Sequence, residues 1–84
     1  MNVTVRYFAS LRESLGRGES VALAEERSSV GALRDLLIGR STLHAQALGR
    51  GRAIRTALDQ TLCDEAAMLR DGAEVAFFPP VTGG

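Results

Sequence analysis

From Asn2 to Phe8 the chain alternates, with Val3, Val5 and Tyr7 on one side and Asn2, Thr4, Arg6 and Phe8 on the other. A period of two residues is that of a strand with one buried face, so the stretch predicts a half-buried first strand. Ala9 to Leu15 predicts a short helical turn, with Leu11 and Leu15 at i, i+4 spacing and Gly16 to end it. Arg17-Gly18-Glu19 turns the chain into a second strand, Ser20 to Ala24, with Val21 and Leu23 inward. After a polar link from Glu25 to Arg27, Ser28 or Ser29 can cap a helix. Val30, Leu33, Leu36 and Leu37 then recur at helical spacing, so one face of Val30 to Ile38 packs on the sheet before Gly39 stops it. Leu43 to Leu48 predicts a further short helix. Ile54, Thr56 and Leu58 alternate with Arg55 and Ala57 as a third strand, and Asp59-Gln60 turns into a short Thr61–Cys63 strand. Asp64 to Arg70 reads as irregular or a helical turn, Asp71-Gly72 as a turn, and Glu74 to Phe78 as the last strand.

Strand, strand, helix, strand, short strand, strand is the β-grasp order: an α+β fold with one main helix packed across a mixed sheet of four to five strands. The domain is expected to span residues 1–78 and to end in an extended tail, residues 79–84. Eighty-four residues supply one modest core and no deep cleft for a cofactor, so no permanently bound cofactor and no metal are expected. Ten arginines balance ten acidic residues, which points away from nucleic acid and anionic membranes as partners. No apolar run is long enough to span a bilayer and no signal peptide precedes Asn2, so a cytoplasmic location is expected. The single Cys63 excludes an internal disulfide and a cysteine-ligated iron–sulfur cluster.

The end of the chain, Phe77-Phe78-Pro79-Pro80-Val81-Thr82-Gly83-Gly84, carries the chemistry. Pro79 and Pro80 lack N–H groups and fix φ, so the strand cannot continue and the chain leaves in an extended course. Val81, Thr82, Gly83 and Gly84 add roughly 13 Å of reach, enough to thread a narrow channel in another protein. Without a Cβ, Gly83 and Gly84 let a partner's backbone and a nucleotide phosphate close around the terminal carboxylate. A frayed end would need no such rigid spacer.

The four aromatics fall in two adjacent pairs, Tyr7-Phe8 and Phe77-Phe78, at the ends of the first and last strands. Neighbours in a strand face opposite sides. Tyr7 is in phase with Val3 and Val5, and Phe77 with Val75, which assigns both to the core; Phe8 and Phe78 share faces with Arg6 and Glu74 and are expected outside. If the two strands are neighbours, Phe8 and Phe78 form one apolar patch at the root of the tail, the signature of a docking site.

These residues carry a resemblance. Asp71 to Gly84 closely resembles the end of the small subunits of molybdopterin synthase, a family of ubiquitin-like sulfur carriers, and Phe8-Ala9-Ser10-Leu11-Arg12-Glu13 looks like the family's segment after the first strand. The resemblance implies that an adenylating, E1-like partner uses ATP to convert the Gly84 carboxylate into an acyl-adenylate, and that a persulfide donor then supplies sulfur to leave a thiocarboxylate. It implies further that the tail enters the large subunit, which grips the residues matching Phe8, Leu11, Arg12, Leu62 and Phe78. There the sulfur passes to cyclic pyranopterin monophosphate to build the dithiolene, within a heterotetramer. On this reading the chain is the sulfur-donating subunit and is not catalytic alone. A thiamine (thiazole) sulfur carrier, a ubiquitin-like protein modifier and a pure interaction module are the alternatives.

Other candidates carry less. His44 has no partner at ligand spacing and reads as a surface histidine; Cys63 reads as packing. Arg50, Arg52 and Arg55 lack the interleaved aromatics of a nucleic-acid surface. Lysine is wholly absent. Compositional bias toward arginine explains that, as does a need to keep amines away from an activated acyl group.

Overall fold

In the computed structural model, which describes residues 1–24 and 27–80, the alternating stretches become five strands and the apolar-periodic ones become helices. In chain order these are β1 (Asn2–Tyr7), α1 (Ser10–Leu15), β2 (Gly18–Ala22), α2 (Val30–Ile38), α3 (Thr42–Leu48), β3 (Arg55–Leu58), β4 (Thr61–Cys63) and β5 (Glu74–Phe78). The sheet runs β2-β1-β5-β3-β4; β1 and β5 are parallel at its centre and the other pairings are antiparallel. This is the expected mixed β-grasp sheet. The predicted bounds of α2, β4 and β5 match, and Ser29 caps α2 by accepting from the Ala32 N–H at 3.1 Å.

One face of the sheet is closed and the other is open. Val3, Val5 and Tyr7 of β1, Val75 and Phe77 of β5, and Val21 of β2 share a core with Val30, Leu33 and Leu37 of α2 and Leu48 of α3. Each of these side chains is almost wholly removed from water, and apolar burial is the main favourable term for a domain of this size.

Three features depart from the sequence reading. The second strand begins two residues earlier than expected, at Gly18, because Gly18 pairs with Arg6. A Cβ at Gly18 would lie 2.1 Å from the Val5 carbonyl oxygen, so only glycine extends the pairing there. Gly18→Ala is expected to cost more than ~2 kcal/mol, read as a lowered urea midpoint; an unchanged midpoint would refute the close approach. Leu36, read as part of the packing face of α2, is 40% exposed, and the buried stripe includes Arg34 in its stead. Leu23 is buried although β2 ends at Ala22, since its N–H donates to the Met1 carbonyl at 2.7 Å.

Arg34 is the arginine that the helical pattern did not single out. Only 4% exposed, it donates through Nε to the Leu48 carbonyl at 2.8 Å and through Nη2 to the carbonyls of Gly49 and Arg52 at 2.8 and 3.1 Å. Nη1 meets Glu65 Oε2 at 2.8 Å. One planar guanidinium thereby satisfies the carbonyl groups released where α3 ends and ties α2 to both following loops.

Candidate docking face and tail root

The outer face of the sheet is built by register. Tyr7 pairs with Phe77, and the Phe8 N–H donates to the Phe77 carbonyl at 3.2 Å, so the two strands are neighbours and the aromatic pairs lie side by side, the condition that the phase argument left open. Tyr7 and Phe77 are buried with ring centroids 6.3 Å apart, whereas Phe8 is 40% exposed and Phe78 half-buried. Arg55 stands opposite Phe78 on β3. In the next row Leu62 pairs with Ala57, Ala57 with Ala76, and Ala76 with Arg6. Two alanines therefore make a flat floor between Leu62, which is 62% exposed, and the Phe8 and Phe78 rings. Arg6 lies over the Phe8 ring, 5.8 Å from its centroid, and meets Glu74 at 3.4 Å. Apolar anchors on a shallow floor rimmed by charges suit a protein partner better than a small molecule.

Phe8, Phe78 and Leu62 are thus brought onto one face, and Leu62 stands beside the rings rather than covering them. Pro79 and Pro80 follow Phe78 half-exposed, while Val81, Thr82, Gly83 and Gly84 lie outside the described residues. Arg12 is exposed on α1. Leu11 requires a correction. At 5% exposure it belongs to the core cluster and meets the surface only along a groove of about 160 Å³ that Ser10, Ser14, Leu43 and Gln46 help to line. Its place in the first turn of α1 turns it inward, where it holds α1 against the core.

Behind the aromatic pairs is a polar cluster that sequence spacing could not reveal. Glu19 on β2 accepts from Tyr7 OH at 2.7 Å, pairs with Arg40 at 2.6 Å and meets His44 Nε2 at 2.8 Å. His44 Nδ1 lies 2.7 Å from Ser41 Oγ, which also caps α3 by accepting from the His44 N–H at 3.1 Å. The side chain of His44 is 14% exposed, so the surface assignment is corrected: it is a half-buried pillar between α3 and β2. Serine, histidine and carboxylate stand in the order of a hydrolytic relay. Ser41 is occupied as a helix cap and Glu19 is shared by two further donors, which makes the arrangement structural.

Burial works to raise the Glu19 carboxyl, but the hydrogen bonds from His44, Tyr7 and Arg40 outweigh it and hold the group below its ordinary value of 4.5. Burial first, and then the Glu19 hydrogen bond and charge, push the Tyr7 phenol well above its ordinary 10.0. A carboxyl with a lowered folded-state value stabilises the fold above its unfolded value and loses that contribution as pH falls through the folded one. A phenol with a raised value stabilises below its unfolded value and loses the contribution as pH rises past it. Melting temperature is therefore expected to fall as pH drops below the ordinary carboxyl value of about 4.5 and again as pH rises above about 10. Glu19→Gln should flatten the acid limb; an acid limb identical to that of the parent would show that Glu19 does not carry it.

Two of the three arginines of the basic cluster are engaged structurally, and Arg55 is exposed and in no ion pair among the described residues. Arg50 bonds Asp35 at 2.8 Å and also pairs with Glu65, whereas Arg52 donates to the Gln46 carbonyl at 3.1 Å. Cys63 is half-buried, with its sulfur 3.6 Å from Thr56 Oγ1. Among the described residues, no group of three or more His, Cys, Asp or Glu side chains is placed to hold a metal, and no helix is long and apolar enough to cross a membrane.

The comparisons with known proteins agree with the fold. The ThiS family model matches residues 5–84. The molybdopterin synthase sulfur carrier subunit of Escherichia coli is 42% identical over 82 residues, covering 98% of this chain and 99% of that protein. The Haemophilus influenzae protein of the same name is 35% identical over 82 residues, with the same coverage. Among solved structures, SAMP1 from Haloferax volcanii superposes with a TM-score of 0.78 at 26% identity, covering all of both chains. A chain from the complex of subunits 1 and 2 of molybdopterin-converting factor from Helicobacter pylori gives 0.69 at 26% identity, again over all of both chains. The chain belongs to the ThiS family and, within it, stands with the sulfur carrier subunits of molybdopterin synthase.

Proposed function

We propose that this chain carries sulfur on its C-terminus for molybdenum cofactor biosynthesis, docking through the Phe8, Phe78 and Leu62 face while the tail enters the partner's active site. The observation that carries the reading is the parallel β1–β5 register, which brings the exposed Phe8 and half-buried Phe78 rings to the point where the chain leaves the sheet at Pro79. The Helicobacter pylori complex, in which two subunits of molybdopterin-converting factor are held together, supports a large subunit as the docking partner.

The chemistry follows from the carboxylate. An α-carboxylate, with an ordinary pKa of about 3.5, is an unreactive anion at neutral pH. An adenylating partner consumes ATP to place AMP on the Gly84 carboxyl. The outer sulfur of a persulfide displaces AMP to give an acyl disulfide, and a second thiol cleaves its S–S bond, leaving as a disulfide with the donor and releasing the thiocarboxylate. In the large subunit this sulfur attacks cyclic pyranopterin monophosphate, and two deliveries make the dithiolene of molybdopterin. The carrier supplies an atom and a fixed approach, and the large subunit positions the acceptor. The cycle takes place where ATP and persulfide are available, in the cytoplasm.

A second reading has a specific observation behind it: two of the solved neighbours are structures of small archaeal modifier protein 1 (SAMP1) from Haloferax volcanii. One experiment separates the two. The chain is incubated with the adenylating enzyme of its source, ATP and a persulfide donor, and its intact mass is followed by fragmentation of the tail. Exchange of one oxygen for sulfur at Gly84, followed by dithiolene formation when large subunit and precursor are added, is the expected result. No exchange with a demonstrably active enzyme overturns the reading, and amide-linked adducts to other proteins in place of sulfur transfer favour the modifier.

The docking face gives its own prediction. Phe8→Ala combined with Leu62→Arg is expected to weaken binding to the large subunit at least ~10-fold by calorimetry while leaving the melting temperature nearly unchanged, since both side chains are exposed. Unaltered affinity would move the interface elsewhere.

A further inference from the structure

The structure gives meaning to one feature of composition that the proposed function leaves aside: all ten basic side chains are arginine. Arginine is required by geometry at some of these positions. Arg34 satisfies three carbonyls and a carboxylate, one acceptor more than an ammonium has N–H groups, and the planar fork of Arg50 spans Asp35, Glu65 and the Gly31 carbonyl. Geometry makes no such demand at Arg12, Arg17, Arg55 and Arg70. All four are exposed and none is in an ion pair among the described residues, so lysine would serve each as a solvated cation.

The two cations differ in one respect that matters beside an activated carboxyl. Guanidinium stays protonated and delocalised, whereas the lysine amine has a nucleophilic neutral form that burial makes more abundant. Arg55 stands opposite Phe78 in the β3–β5 register, at the base of the tail, so a lysine there would lie inside the ~20 Å radius that six residues of chain allow the carboxyl to sweep.

The remaining primary amine, on Met1, is placed at the far end. Parallel pairing of β1 with β5 sends the tail out at the Tyr7 end of β1, and the Met1 ammonium donates to the Leu23 carbonyl at 2.8 Å at the other. Residues 79–84 extend at most ~20 Å, about the length of β1 itself, so the carboxyl would have to double back along the whole sheet against a Pro-Pro exit. Cys63 is half-buried, and a thioester formed on it would keep the acyl group activated rather than consume it.

We propose that the chain is a one-way acyl donor: its fold keeps its own Met1 amine away from the activated tail, and its arginine-only surface denies that tail any lysine of its own, or of a second copy, to acylate. The proposal rests on the reading that Gly84 is activated. The reaction avoided is attack of a lysine nitrogen on the Gly84 carbonyl carbon, in which a C–N bond forms, the bond to AMP breaks, AMP leaves and the nitrogen gives its proton to solvent. It follows that if the chain ever modifies another protein it does so as a single unit, since it offers no lysine from which a polymer could grow.

The test installs the activated carboxyl chemically. The full chain is prepared as a C-terminal thioester by intein cleavage, as parent, Arg55→Lys and Arg70→Lys, and held at about pH 8 while intact masses are recorded. The parent is expected to give only the hydrolysed acid. Arg55→Lys should give at least ~10-fold more amide, seen as a monomer one water lighter than the acid and as covalent dimer. Arg70→Lys, whose residue adjoins the Asp71-Gly72 turn at the Asn2 end of the sheet, should give less of the light monomer than Arg55→Lys. Self-linked parent at the level of Arg55→Lys would overturn the proposal. So would Arg55→Lys giving no amide although added free lysine captures the same thioester. Because no adenylating partner takes part, such a failure is distinct from missing oxygen-to-sulfur exchange, which would remove the activated tail itself.

Discussion

Removing Gly84 is expected to abolish sulfur delivery while leaving docking intact. The truncated chain should still bind the large subunit within about threefold of the full chain, because the Phe8, Phe78 and Leu62 face belongs to the folded sheet and not to the tail. Dithiolene formation in the reconstituted reaction should drop to background, a loss of at least ~100-fold, because a carboxyl displaced by one residue misses its reacting position by more than 3 Å. Binding by calorimetry and product by mass spectrometry measure the two independently. Retained transfer would remove the thiocarboxylate mechanism; joint loss of both would mean that the tail, and not the sheet, supplies most of the affinity. Gly84→Ala is a finer probe, since it keeps the length and adds only the Cβ that the glycine pair avoids.

The largest expected effect on stability is at Arg34. Arg34→Met keeps much of the side-chain volume but leaves the carbonyls of Leu48, Gly49 and Arg52 without their donor and Glu65 without its more buried partner. Stranding several groups around one buried position is expected to cost about 3–5 kcal/mol, which approaches the whole stability of a small domain. Arg34→Lys should recover only part of it, since an ammonium cannot span that fan of acceptors. Urea denaturation measures both variants. A cost below ~1 kcal/mol for Arg34→Met would mean that water replaces the guanidinium, and that α3 and the loop after it are held by the Ala47 and Leu48 contacts alone.

How far these features were legible in the sequence varies with their range. Strict alternation in β1 and β5 fixed which aromatic of each pair is buried, because a strand has only two faces and a phase settles both. The same argument failed at Leu36, where helical spacing included a residue that the structure leaves 40% exposed. A helix presents a continuous arc, and the width of its buried sector depends on what covers it. Leu11 went astray for a related reason: its motif placed it beside Phe8 and Arg12, but a one-turn helix sends neighbouring residues in different directions.

By itself, the sequence determined the elements, the phase of the aromatics, the stiff exit at Pro79-Pro80 and the absence of lysine, all of which are set within a few residues or by composition. Only the tertiary structure decided that Phe8, Phe78 and Leu62 share one face, that Arg34 is buried, that Glu19 gathers Tyr7, Arg40 and His44, and that Met1 lies at the end of the sheet opposite the tail. Each of these joins residues far apart in the chain, and their meeting depends on strand order and register, which no local pattern encodes.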